Sequence, residues 1–193
     1  MTIKHHLPLA FAFAAAAFVP LSACSQKDSE APAGKTASPA PSDDTLATEL
    51  SKMNNLTKLN AALRDTGLSQ VFDNGGSYTI FAPTDAAFGK LGGAEAALMQ
   101  HDQRAVLTAV LRDHIVPGYL TPDDIGAAID SQRGQVKVQT MGDHKLTFTR
   151  QGEGYRVTSE DGSSALIAGN AVTASDGVAI PVDGVLKKPA TAG

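Results

Sequence analysis

Tryptophan is missing from the 193 residues, cysteine occurs once, and aromatic side chains make up only 5%. A lone cysteine excludes an intramolecular disulfide and any metal site built on a cysteine pair. Basic residues are in the minority, 16 against 20 acidic, for a net charge of −4. That sign argues against nucleic acid as the main partner, because phosphate binding needs a basic surface. No His-x-x-x-His spacing supports zinc, and His101 and His144 stand apart among polar residues. The acidic pairs Asp123-Asp124 and Glu160-Asp161 lack the alternating carboxylates of a calcium loop. A Gly-x-Ser-x-Gly elbow and a phosphate-cradling glycine loop are also missing. The sequence therefore predicts no catalytic residues, no cofactor and no metal.

The N-terminus reads as an export signal. Lys4, His5 and His6 precede an apolar run from Leu7 to Val19 of about 13 residues, short of the ~20 that span a bilayer. Leu21-Ser22-Ala23-Cys24 follows and resembles the lipobox of bacterial lipoproteins. That resemblance implies cleavage between Ala23 and Cys24, with Cys24 carrying the lipid. More than one acyl chain gives stable anchoring, at ~0.8 kcal/mol per buried methylene. Ser25, where an Asp would resemble an inner-membrane retention signal, favours the outer membrane. Residues 24–44 are Ala, Pro, Ser and charge, which predicts a disordered tether with a reach of roughly 25 Å.

Residues 45–189 read as one folded unit, with 190–193 as a tail. Leu46, Leu50 and Met53, then Leu56, Leu59 and Leu63, fall at helical spacing, and Gly67 ends the second stripe. After Phe88 a short helix is expected to stop at Gly92-Gly93. Another is expected from about Asp102 to Ile115, its apolar face collecting Val106, Leu107, Val110, Leu111 and His114, until Pro117-Gly118 breaks it. Thr121-Pro122-Asp123-Asp124 has the chemistry of a helix start. Beyond it the period changes to two: Val136 and Val138, Leu146 and Phe148, Tyr155 and Val157, then Val178 and Ile180. Helices first and antiparallel strands after predict an α+β fold.

Two spots invite a chemical reading. Thr84 and Asp85 stand where the run Tyr78 to Phe81 meets a helix, so a hydroxyl lies beside a carboxylate. A strand-to-helix junction leaves helix N–H groups unpaired, so Thr84 is read as a cap and Asp85 as a partner of the helix dipole. A nucleophilic Thr would need a base beside it, and no His is near in sequence. His114 is read as a neutral, hydrogen-bonded core histidine, with a ligand or base as the sharper alternative.

The order of blocks then becomes informative. Thr79 to Phe88 (TIFAPTDAAF) closely resembles the first block of the fasciclin domain. His114-Ile115-Val116-Pro117-Gly118 is similar to its central block, and Asp176-Gly177-Val178 with Val182-Asp183-Gly184-Val185-Leu186 to its closing block. The resemblance implies a β-wedge or sandwich with flanking helices, an envelope or extracellular place, and an adhesion or interaction role with a protein or polysaccharide partner. Thr84, Asp85, His114 and Asp183 become its structural motif. A binding protein for a small apolar molecule, of lipid or carotenoid type, is the alternative, and an envelope hydrolase is a third. Asp113 before His114 departs from the Tyr-His pair of adhesive animal members. Pro181 cannot donate to a ladder, so its strand is expected at an edge or broken.

Overall fold

Leu46, Leu50, Leu59 and Leu63 lie on the inner faces of α1 (Leu46–Lys52) and α2 (Thr57–Thr66) in the computed structural model, which describes residues 41–73 and 75–187. The signal segment, Cys24, most of the tether and the 190–193 tail lie outside the described residues. Gly67 ends α2 with φ 74°, a left-handed conformation that suits glycine. Then come α3 (Ser69–Phe72), β1 (Tyr78–Pro83), α4 (Asp85–Gly89), α5 (Gly93–Leu98) and α6 (Arg104–Arg112). β2 (Ile115–Pro117) and α7 (Pro122–Ser131) lead to β3 (Gln135–Gln139), β4 (Lys145–Gln151), β5 (Gly154–Ser159) and β6 (Ser164–Leu166). β7 (Val172–Thr173) and β8 (Gly177–Val182) close the fold.

The strands form two four-stranded sheets, ordered β2-β1-β8-β7 and β3-β4-β5-β6. The first is a middle layer. Ile80, Ala82 and Ala179 face the helices, where they meet Leu59, Leu63 and Leu111. Their neighbours Phe81, Val178 and Ile180 face the second sheet and α7, meeting Phe148, Val157 and Ile125. Alternation along a strand thus feeds two cores, and each buried Phe or Ile contributes about 2–3 kcal/mol. The rings of Phe81 and Phe148 sit 5.0 Å apart between the sheets. The α+β class is the one the sequence predicts.

Several expectations need correction. β1 and β8 pair in parallel, from Tyr78 with Gly177 to Pro83 with Val182, so the strands are not all antiparallel. A parallel pair needs a long crossover, and everything from α4 to β7 supplies it. Pro181 sits in a continuous strand inside the sheet. The Val182 carbonyl accepts from Thr84 N–H, just past the end of β1, at 3.1 Å, so Pro181 faces the opposite side. There β7 has already ended, having paired only with Val178 and Ala179. The Pro181 carbonyl accepts from Ala168 N–H at 2.8 Å, and no ladder bond needs its missing donor.

The helix expected to reach Ile115 ends at Arg112, because the next residues are drawn into β2 beside β1. His114 therefore lies beyond the helix, and Val106, expected in the core, is 50% exposed. The short helix expected to stop at Gly92-Gly93 already ends at Gly89, and Gly92-Gly93 instead open α5. Residues 42–44, expected to belong to the tether, are held against the fold. Ser42 N–H donates to the Thr173 carbonyl at 2.9 Å, and Ser175 N–H donates to the Asp44 carbonyl at 2.9 Å.

Gly177 marks the tightest approach in the middle sheet. A Cβ there would run into the Tyr78 carbonyl and come within 2.8 Å of a Leu46 methyl. Gly177→Ala should cost roughly 1–3 kcal/mol through overpacking. Thermal unfolding should read this as a melting point several degrees lower, and an unchanged one would contradict the packing described.

Candidate functional site

The marked residues of the three blocks converge on the joints between elements. Thr84 Oγ1 accepts from Ala87 N–H at 3.2 Å and so caps α4. Asp85 works across a gap in sequence. Its carboxylate accepts from Lys58 N–H at 2.8 Å, Thr57 N–H at 3.3 Å and the Thr57 hydroxyl at 2.6 Å. Those are the first residues of α2, whose own cap residue, Leu56, has no side chain able to accept. Asp85 is thus the cap of α2 as well as the first residue of α4. Partial burial alone would raise its pKa. The bonds from the Thr57 hydroxyl and the Lys58 and Thr57 N–H groups outweigh that and hold it below the usual carboxylate range.

His114 is fully buried, between the end of α6 and the start of β2. Its Nδ1 donates to the Val110 carbonyl at 2.7 Å, and its Nε2 accepts from Leu186 N–H at 2.9 Å. One nitrogen donates and the other accepts, which defines a neutral tautomer. Burial pushes its pKa down, against weaker opposing effects of the Val110 carbonyl and the Asp113 charge. With both nitrogens engaged and no water access, this ring cannot act as a base for an external substrate. The His114 carbonyl also accepts from Phe81 N–H at 2.9 Å. One residue thereby joins the central block to the first and closing blocks.

Asp183 receives Leu166 N–H at 2.7 Å and the Lys90 ammonium at 3.0 Å. Partial burial pushes its carboxyl up, but these two donors prevail and leave it below the ordinary value. Asp176 of the closing block accepts from Leu46 N–H at 2.6 Å, at the first turn of α1.

Two of these arrangements escape sequence reasoning because their partners are 28 and 130 residues away, beyond any local spacing signal. A third is the pair His144–Asp113. His144 Nδ1 donates to the buried Asp113 carboxylate at 2.9 Å and fastens the β3–β4 turn to the end of α6. Gly142 sits against the same carboxylate, where a side chain would collide. Among the described residues no group of three His, Cys, Asp or Glu side chains could hold a metal ion. An open groove of about 480 Å³ runs between α1, α2 and α3, with Leu50, Met53, Leu63 and Phe72 in its wall and Asn60 and Arg64 at its polar side.

A model of the fasciclin domain matches residues 54–188. The chain belongs to the fasciclin domain family. Immunogenic protein MPB70 of Mycobacterium bovis is 31% identical over 171 residues, 86% of this chain and 81% of that protein. Cell surface glycolipoprotein MPB83 of the same species is 32% identical over 116 residues, 58% of this chain and 52% of that one. Protein sll1483 of Synechocystis is 29% identical over 130 residues, 67% and 65% of the two chains. Among solved structures, the FAS1 domain pair of the insect cell adhesion molecule Fasciclin I superposes with a TM-score of 0.65 at 16% identity. That match covers 75% of this chain and 51% of the two-domain chain, and it concerns the fold.

The fasciclin blocks of this chain therefore consist of joints. Asp85→Ala should cost roughly 1 kcal/mol at neutral pH by uncapping α2. Because the folded carboxyl lies below its ordinary value of 3.8, that advantage is complete above this pH and fades as pH falls through the lower folded value. Denaturant titrations of both proteins from pH 7 to 2.5 should converge at the acid end; a constant gap would contradict the assignment. His114→Gln should cost about 1–3 kcal/mol by leaving a buried backbone partner unpaired. Burial lowers the histidine's folded pKa from 6.5, so wild-type stability should decline as pH drops below 6.5, and the variant's curve should be flatter there.

Proposed function

We propose that the chain is a lipid-anchored lipoprotein of the cell envelope whose fasciclin domain works as a non-catalytic adhesion or interaction module for a protein or polysaccharide. The observation that carries this reading is the use of the marked residues. Thr84, Asp85, His114 and Asp183 are all engaged in holding elements together. Recognition then falls to outward-facing surface on a braced domain. The likeness to a mycobacterial cell surface glycolipoprotein supports an envelope location. Among the described residues no helix is long and apolar enough to cross a membrane, and the anchor in this reading is lipid on Cys24, following cleavage after Ala23. Ser25 favours the outer membrane.

Expression of the full chain in a bacterial host with lipoprotein processing tests the anchor. The wild type should take up labelled palmitate and sediment with membranes, whereas Cys24→Ala should lose both properties. A variant that stays labelled and membrane-bound would refute it. Capture from envelope extracts on the immobilised full chain tests the interaction role, and retention of no protein and no polysaccharide would overturn it.

The groove between α1, α2 and α3 favours one further reading, a binding protein for a small apolar molecule of lipid or carotenoid type. Organic extraction of the chain purified from native membranes decides it, since an empty extract rejects tight binding.

A further inference from the structure

The second sheet has one face in the core and one outside. Val136, Leu146, Phe148 and Val157 point inward. Lys137, Thr147, Thr158 and Ser164 form one outward row across four strands, and Gln135, Thr149, Arg156 and Leu166 form the next. Lys145, opposite Gln139, begins a third. This face is exposed or half-buried throughout, and α7 packs on its inner side, where Ile125 and Ile129 join the core.

Its charge is unlike that of the chain as a whole. The protein carries a net charge of −4, yet the outward positions of the four strands hold Lys137, Lys145 and Arg156 and no carboxylate. Nearby acidic groups, Asp143, Glu153, Glu160 and Asp161, are confined to the turns at the strand ends. Elsewhere Lys52, Lys58, Lys90, Arg104 and Arg150 each have a carboxylate partner, while Arg64, Arg112, Arg133 and Lys187 form no ion pair among the described residues. What sets this face apart is three cations on one side of one sheet with no carboxylate among them. Among the described residues the three cations of this face form no ion pair. Arg156 lies across the strands on neutral partners, donating to Gln151 Oε1 and Ser164 Oγ, both at 3.2 Å. These bonds hold the guanidinium in place without neutralising it.

We propose that this outer face binds a linear acidic polysaccharide carrying carboxylates along its chain, which rests on the interaction-module reading and specifies its partner. From strand spacing and rise, the three cations stand roughly 8–14 Å apart. That is too wide for one small anion and suits a polymer with repeated acidic groups. Rows of threonine, serine and glutamine between the cations supply donors and acceptors for sugar hydroxyls. The face carries no aromatic ring on which nucleic-acid bases could stack, which favours a sugar polymer over a nucleic acid.

Calorimetric titration of the full chain with polygalacturonate tests the proposal. Methyl-esterified polygalacturonate serves as the uncharged control and single-stranded DNA as the competing acidic polymer. The acidic polysaccharide should bind, should weaken as salt rises, and should be preferred to both controls. Lys137→Gln, Lys145→Gln and Arg156→Gln together should weaken binding roughly tenfold or more, with the melting point little changed. An equal loss of charge at Lys52, Lys58 and Arg104 should leave binding within about twofold. No binding, equal binding by the triple variant, or equal binding of DNA would overturn the proposal. Repeating the envelope capture with the triple variant separates the two ideas. A partner retained equally by variant and wild type sinks the sheet-face site but spares the interaction role, whereas capture of nothing by the wild type sinks the role itself.

Discussion

The buried imidazole of His114 is the joint on which the rest of the domain depends. It holds Val110 at the end of α6 and Leu186 beyond β8, while its own backbone carbonyl holds Phe81 in β1. Three segments far apart in sequence meet at one ring. The price of burying that ring is a strongly disfavoured charged form, so the joint is firm only while the histidine is neutral. A side chain that reads as potential chemistry is thereby committed to structure.

The same logic extends to the carboxylates. Asp85 caps α2 from the first block, Asp176 meets the start of α1 from the closing block, and Asp183 ties β6 and Lys90 to the turn after β8. Each neutralises helix or strand ends that would otherwise present unpaired N–H groups. The parallel pairing of β1 with β8 brings these blocks side by side, so the helix ends and the middle sheet brace each other. A domain braced in this way suits recognition by its outer surfaces, because those surfaces do not have to reorganise on binding.

Much of this frame is legible in the sequence. The leucine stripes announce α1 and α2, and Thr121-Pro122-Asp123-Asp124 gives the full capping box of α7. Alternation finds β3, β4 and β5. Reading fails where tertiary pairing overrides local pattern. The helix expected to run on to Ile115 instead turns at Asp113 and His114, and β1 recruits Ile115–Pro117 as a strand. Pro181 looks like a ladder breaker, but the side it faces needs no donor from it. The cross-block caps and the Asp113–His144 pair leave no trace in local spacing, since only the fold sets their partners. The unpaired cations of the outer sheet face become visible once strand register shows which residues share a side.

The joint requires His114 to be neutral and fixed in one tautomer. Nitrogen-15 NMR of the imidazole measures this directly, with the chain labelled at histidine and His114 assigned by substitution. The expected result is a protonated Nδ1, an unprotonated Nε2, and shifts that stay constant from pH 8 down past 6.5 while the fold persists. An imidazole that exchanges tautomers, or that titrates near 6.5 in the folded protein, would contradict it.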